Sequence, residues 1–278
     1  MNSVVKRVLL TFTAVPALFS LIYFFPHFNH LPFALLTVGA VIIGSVEMRK
    51  IFFSGTEKHF YLIFLSAALP VLTYIEQSFA CGTRYLPLYM RAVVSVIMSV
   101  ESFSGASDHF PASIERVAKS ILLFIYPGVF ALFLVYILFM EHTTFLLILL
   151  FLMVFANDTF AYVFGMLFGK NNRNIFAVSP NKSVAGFIGG LLMTVVIAFL
   201  YQRLVPGGQS IITDLPLLIL SLFISLISNI GDLVESMFKR NANIKDSGSV
   251  ILGRGGLMDS IDSLLLSAPF FYFFLSVL

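Results

Sequence analysis

The chain has 278 residues, of which 59% are hydrophobic and only 11% charged, with a formal net charge of +3 and a mean hydropathy of +0.97. A water-soluble domain carries about a quarter charged residues, so this composition lacks the polar surface to cover a soluble globule. The lone Cys81 excludes an intramolecular disulfide and a cysteine-based metal site, and it reads as a small hydrophobe. Nothing in the sequence points to nucleic acid.

Uncharged apolar runs recur along the chain. They are Val8–Phe25, Leu31–Val46, Phe60–Ile75, Ser120–Met140, Ser183–Gln202, Leu215–Gly231 and Ser263–Leu278. Two further segments carry a charge inside them: Leu86–Val100 with Arg91, and Thr143–Gly169 with Asp158. A helix needs about 20 apolar residues to cross the hydrocarbon layer, and the expectation is an all-α integral membrane protein, a polytopic bundle of about nine transmembrane helices. The first run follows Lys6 and Arg7, yet it is longer than a secretion-signal core and further spans follow, so it reads as an uncleaved helix. Pro26 and Pro32 bracket a first outer turn, and Pro206-Gly207-Gly208 marks a later one. With the N-terminus in the cytoplasm, alternation through nine helices puts all but Arg84, Arg91 and Arg203 of the seventeen basic residues on the cytoplasmic side. The chain reads as one membrane domain. Residues 1–140 form spanning helices that scaffold a lipid cavity, and residues 141–278 form the catalytic part.

The polar residues gather in that second part. Asp158, Asp232, Glu235, Asp246, Asp259 and Asp262 lie within or beside apolar helical segments. An ionised group in a bilayer is costly, so such acids are functional candidates, the competing reading being interhelical salt bridges. Asn157-Asp158 offers a neutral and a charged oxygen, followed by Gly165 and Gly169 at small-xxx-small spacing. Ser179-Pro180-Asn181-Lys182-Ser183 precedes Gly186-Phe187-Ile188-Gly189-Gly190; simple capping explains the serines and proline but not the lysine beside a glycine cluster. Asp232, Glu235 and Lys239 share one helical face at i, i+3 and i+7, although Glu235 and Lys239 could be a purely structural i,i+4 pair. Lys239-Arg240 ends that helix. A short loop with Lys245-Asp246-Ser247-Gly248 and Gly253-Arg254-Gly255-Gly256 then leads to a helix with Asp259 and Asp262 on one face. Carboxylates, cations and glycines so interleaved indicate phosphate chemistry with Mg²⁺, which takes one or two carboxylates plus substrate phosphate oxygens. All five histidines precede residue 143, which argues against a histidine base and a zinc site there.

The stretch Ser236-Met237-Phe238-Lys239-Arg240, Lys245-Asp246-Ser247-Gly248 and Gly253-Arg254-Gly255-Gly256-Leu257-Met258-Asp259-Ser260-Ile261-Asp262 closely resembles the signature of bacterial phosphatidate cytidylyltransferases. Asn157-Asp158-Thr159-Phe160-Ala161-Tyr162 and the Ser179 to Gly190 segment resemble further motifs of that family, in the family's order. The likeness covers roughly the C-terminal 120 residues. It departs in two places: the family usually has His-Gly-Gly at Arg254-Gly255-Gly256 and Asp-Arg at Asp259-Ser260. An arginine at 254 keeps a phosphate role but not a proton-carrying one.

The resemblance implies transfer of CMP from CTP to phosphatidic acid, giving CDP-diacylglycerol and pyrophosphate. It also implies an active site at the cytoplasmic face of the inner membrane, and a homodimer is compatible with it. On this view Asp232 and Asp246 lead the metal ligands, with Asp259, Asp262 and Asp158 behind them, in a two-metal Mg²⁺ site to which a monovalent cation such as K⁺ could be added. Lys239 and Lys245 join Asp232 and Asp246 in the catalytic set. Asn157, Ser179, Lys182, Ser236, Arg240, Arg254, Gly255 and Gly256 bind substrate or phosphate. Asp246→Asn is expected to abolish product formation without unfolding the protein. The alternatives are a CTP-dependent lipid kinase, which would move the γ-phosphoryl group, and a secondary transporter, disfavoured because the polar cluster occupies one half of the chain.

Overall fold

The computed structural model describes residues 3–53, 59–79, 85–104, 111–251 and 255–278, with backbone alone for 3–12 and 104. The regular elements among the described residues are all helices, with no strand and two isolated bridges, Arg173 to Ser183 and Ile251 to Gly255. The helices are α1 (Ser3–Phe24), α2 (His27–Phe53), α3 (Tyr61–Ser78), α4 (Tyr85–Ser104), α5 (Ser113–Leu123), α6 (Phe130–Ile137), α7 (Thr143–Phe168), α8 (Val184–Leu204), α9 (Gly208–Ile211), α10 (Asp214–Asn241) and α11 (Met258–Val277). A π-helical segment, Phe124–Val129, joins α5 to α6 around Pro127, whose missing N–H accounts for the wider turn.

The expected apolar runs fall on helices, and among the described residues seven helices are long and apolar enough to cross a membrane, which leaves the expected nine unconfirmed. They are α2, α4, the α5–α6 rod, α7, α8, α10 and α11. Helix α1 enters that count only through Thr13–Phe24, the part described with side chains, and so is not among the seven; nor is α3, whose last turn carries Glu76 and Gln77. Helices are the open-ended elements that satisfy their own backbone in lipid, and the chain is a multi-pass all-α membrane protein. Ile188, Leu192, Val196 and Leu200 recur every four residues on α8 and are half exposed, forming a lipid-facing stripe.

The chain divides into two compact units, one of residues 27–139 and the other of residues 1–26 with 140–278. In the first, α2 packs on α3, and the hydroxyl of Tyr89 donates to the Leu65 carbonyl at 2.8 Å. There Arg116 and Glu101 form an ion pair of 2.6 Å between α5 and α4. The turn between Pro26 and Pro32 holds three left-handed residues, Phe28, Asn29 and His30.

The second unit carries the functional motifs. Its core is the first half of α7 (Leu147, Leu149, Leu150 and Met153 are fully buried) against α10 (Leu217, Leu220, Ile224) and α11 (Ala268, Phe271). Helices α7 and α8 make an antiparallel hairpin of close approach. At Gly190 an added Cβ would fall 2.9 Å from both the backbone and the side-chain oxygen of Asn157, so the absent side chain is what lets α8 reach α7. Helices α7 and α10 end, and α8 and α11 begin, at the same end of this unit, and the charged motifs assemble there.

Candidate active site

A cavity of about 640 Å³ opens at that end, inside the ~300–1,000 Å³ span of small-molecule sites. Helix α7 supplies Asp158 and Tyr162; the loop after it supplies Arg173, Ser179, Asn181 and Lys182; α10 supplies Asn229, Asp232, Glu235 and Lys239; α11 supplies Asp259, Asp262 and Ser263.

Asn157 and Asp158 are sequence neighbours with opposite fates, because successive helix positions differ by about 100°. Asn157 is 1% exposed and points into the α7–α10 seam. Its Oδ1 accepts from Ser225 Oγ at 2.7 Å and Asn229 Nδ2 at 3.1 Å, and its Nδ2 donates to Ser228 Oγ at 3.2 Å. The amide is therefore used up in holding two helices together, behind the cavity rather than in it. Asp158 is exposed on the cavity side, where its Oδ1 accepts from Ser228 at 3.3 Å and Ser263 at 3.4 Å.

Lys182 reaches across from the start of α8. Its ammonium pairs with Asp232 at 2.9 Å and donates to the Asn229 carbonyl at 3.3 Å. Ser183 caps α8, its Oγ accepting from Gly186 N at 3.1 Å, which leaves the preceding lysine directed away from the helix axis. Lys239 lies between two carboxylates, pairing with Glu235 one turn earlier and with Asp259 Oδ1 at 2.7 Å. The other oxygen of Asp259 accepts three donors: Gly256 N at 2.7 Å, Ser247 N at 2.9 Å and Ser247 Oγ at 3.1 Å. Asp259 thereby ties the loop after α10 to the first turn of α11. Gly255 beside it has φ +107° and no room for a Cβ, which would sit 2.7 Å from Asp259 Oδ2. Asp262 is 6% exposed and receives Ser263 N at 2.8 Å. Among the described residues Asp158 and Asp262 have no ion-pair partner.

The expected residues thus separate into three groups. Asp158, Ser179, Lys182, Asp232, Lys239, Asp259 and Asp262 line one cavity. Asn157, Ser236, Gly255 and Gly256 stand behind or beside it, Ser236 donating to Asp232 Oδ1 at 3.4 Å. Lys245 and Asp246 are exposed on the loop after α10 and are not part of the lining, and Arg240 is exposed with its guanidinium on the Val178 and Ile244 carbonyls, both at 3.4 Å. Arg254 lies outside the described residues. The structure places Glu235, a candidate among the acidic residues, in the lining as well, and adds Arg173, Asn229 and Ser263. Asn229 was readable as part of a polar stripe at helical spacing on an otherwise apolar span: Ser221, Ser225, Ser228, Asn229, Asp232. No pattern in the sequence distinguished Arg173 from the other cytoplasm-side cations.

A sequence profile described as the cytidylyltransferase family matches residues 5–278. The chain belongs to the cytidylyltransferase family. It is similar to the phosphatidate cytidylyltransferases of Bacillus subtilis (40% identical over 126 residues, 45% of each chain) and Haemophilus influenzae (42% over 141 residues, 49% of this chain and 48% of that one). It is likewise similar to that of Staphylococcus epidermidis (38% over 117 residues, 42% and 44%). The matched stretches span just under half the length of these relatives.

Proposed function

We propose that this protein is a CTP:phosphatidate cytidylyltransferase, acting at the cytoplasmic face of the inner membrane to make CDP-diacylglycerol. The observation that carries this reading is the convergence of Asp158, Asp232, Asp262, Lys182 and Lys239 on one cavity at the end of spanning helices, in a chain of the cytidylyltransferase family. The names of its relatives support the lipid as acceptor.

In the reaction an oxygen of the phosphatidic acid phosphate attacks the α-phosphorus of CTP. The bond from that phosphorus to the β-phosphate bridging oxygen breaks, and pyrophosphate leaves. A phosphate monoester is already largely ionised near neutral pH, so the protein has little proton chemistry to do and works by positioning and charge compensation. Lys182 and Lys239, each already fixed by carboxylates, are preorganised donors for phosphate oxygens. Ser179, on the same loop as Lys182, adds a hydroxyl. Asn157 keeps α7 and α10 in register so that Asp158 and Asp232 face the same space.

The donor set suits Mg²⁺. Asp158 and Asp262 offer hard oxygens without an ion pair among the described residues, and Asp232 stands on the next face. Among the described residues no three acidic, histidine or cysteine side chains come together to hold a metal ion by themselves; an Mg²⁺ ion bound here would take one or two of these carboxylates and complete its shell with substrate oxygens and water. Bound there, Mg²⁺ would supply positive charge to the triphosphate. Asp259, saturated by Lys239, Ser247 and Gly256, is better suited to shaping the loop than to ligating.

The test is product analysis in mixed micelles with phosphatidic acid and CTP labelled at either the α- or the γ-phosphate. Label from the α position in the lipid, dependent on Mg²⁺ and lost with EDTA, is the expected result; γ-label in the lipid instead would identify a CTP-dependent kinase.

A further inference from the structure

Three cations line the cavity, and two of them are occupied. Lys182 is held by Asp232 and the Asn229 carbonyl, and Lys239 by Glu235 and Asp259. Arg173 faces the same cavity with neither an ion pair nor a side-chain hydrogen bond among the described residues. Its backbone, by contrast, is tightly held. Arg173 forms an antiparallel bridge with Ser183. Its neighbours complete the clamp: the Asn172 carbonyl accepts from Val184 N at 3.1 Å, Asn172 Oδ1 accepts from Ala185 N at 3.4 Å, and Asn174 N, at a left-handed residue, donates to the Pro180 carbonyl at 3.0 Å. The loop between α7 and α8 is therefore fastened to the start of α8 at Asn172 and closed on itself from Asn174 to Pro180, and Arg173 stands between these two ties with its charge unspent.

We propose that Arg173 grips a phosphate group of the substrate at the mouth of the cavity. The inference rests on the cytidylyltransferase reading and names a residue that reading does not use. A cavity whose lining includes Asp158, Asp232, Glu235, Asp259 and Asp262 repels a phosphate anion, and its lysines are already partly neutralised. A guanidinium with all five N–H donors available matches two phosphate oxygens at once, which an ammonium cannot do. A surface arginine that merely follows the cytoplasmic excess of positive charge has no need of a clamped backbone or a place in the cavity wall. The shared chemistry is a phosphate anion, which can come from the CTP triphosphate or from the lipid headgroup.

The experiment uses the full chain in mixed micelles, comparing wild type, Arg173→Ala and Arg173→Lys. KM is measured separately for CTP and for phosphatidic acid, together with equilibrium binding of labelled pyrophosphate. Loss of one charge-assisted phosphate contact should raise one KM by about tenfold or more while kcat changes less, and Arg173→Lys should recover part of it. A rise for CTP with weakened pyrophosphate binding assigns the triphosphate; a rise for phosphatidic acid alone assigns the headgroup. Both KM values and pyrophosphate binding within about twofold of wild type would overturn the proposal, as would a fall in kcat alone. Should Arg173→Ala fail to insert, Arg173→Lys carries the same test, an unchanged KM pair counting against the proposal. Wild-type protein that binds pyrophosphate through Arg173 but makes no CDP-lipid would sink the assigned reaction and leave the phosphate grip standing.

Discussion

Two parts of the site carry the same kinds of residue and treat them differently. On the helical wall, built from α7, α10 and α11, Asp232 and Asp259 have cationic partners at 2.9 and 2.7 Å, and Asp158 is fixed by serine hydroxyls. On the loop after α10, Lys245 and Asp246 are exposed and outside the cavity lining. The helical wall is prebuilt because a charge beside hydrocarbon must be compensated as soon as the helix inserts. The loop lies at the water-facing end, where no such demand exists, and the side chains of Lys245 and Asp246 are left uncommitted, while Ser247 beside them is tied to Asp259. Substituting a partner-rich carboxylate should therefore disturb the fold, whereas substituting an uncommitted one should leave the fold intact and expose any part it has in the chemistry.

The largest effect should come from breaking the most heavily shared cation. Lys239→Met leaves Glu235, 1% exposed, without its cation, and leaves Asp259 only the Ser247 and Gly256 donors. Removing one partner of a buried charge network costs about 3–5 kcal/mol, so thermal unfolding in detergent should shift sharply downward and CDP-lipid formation should vanish with it. Unchanged melting would show that the helical wall is not held by this network.

Asp246→Asn probes the other side of the comparison. Product formation should fall on the order of 10²-fold or more, while the melting temperature in detergent stays at the wild-type value. Near-normal turnover would exclude Asp246 as a metal ligand and confine the chemistry to the helical wall.

A smaller effect is expected inside the seam. Ser225→Ala removes the 2.7 Å bond to Asn157 Oδ1 but leaves that oxygen the Asn229 donor at 3.1 Å. The loss should be about 1 kcal/mol of stability, with a modest fall in activity that Ser225→Thr partly restores. Activity loss equal to that of Asp246→Asn would mean that Asn157 meets substrate directly.

The spacing of polar residues on apolar spans made most of this site legible in sequence. Asp232, Glu235 and Lys239 at i, i+3 and i+7 do share a face, and the suspected Glu235–Lys239 pair does form. What spacing along one helix could not give is which neighbour completes each charge. Lys182 and Asp232 are fifty residues apart in sequence, and Lys239 and Asp259 sit on different helices, so these pairs exist only after α7, α8, α10 and α11 have packed. Asn157 was hidden for the same reason: its role comes from α10 side chains that no local pattern links to it. The number of spans is less legible, because α3 is apolar for most of its length but carries Glu76 and Gln77 in its last turn.

The smallest effect belongs to a pair that resembles the others on paper. Arg203 and Asp214 are 2.7 Å apart, as close as Lys239 and Asp259, but both side chains are about half exposed at the far end of α8 and α10. Water screens such a pair and side-chain entropy opposes it, so it is worth about 0–1 kcal/mol. Arg203→Ala should leave melting and CDP-lipid formation close to wild type, and salt should not distinguish the two proteins. A loss comparable to that of Lys239→Met would mean that distance, not burial at the cavity, sets the value of an ion pair here, and the contrast between committed and uncommitted charges would lose its basis.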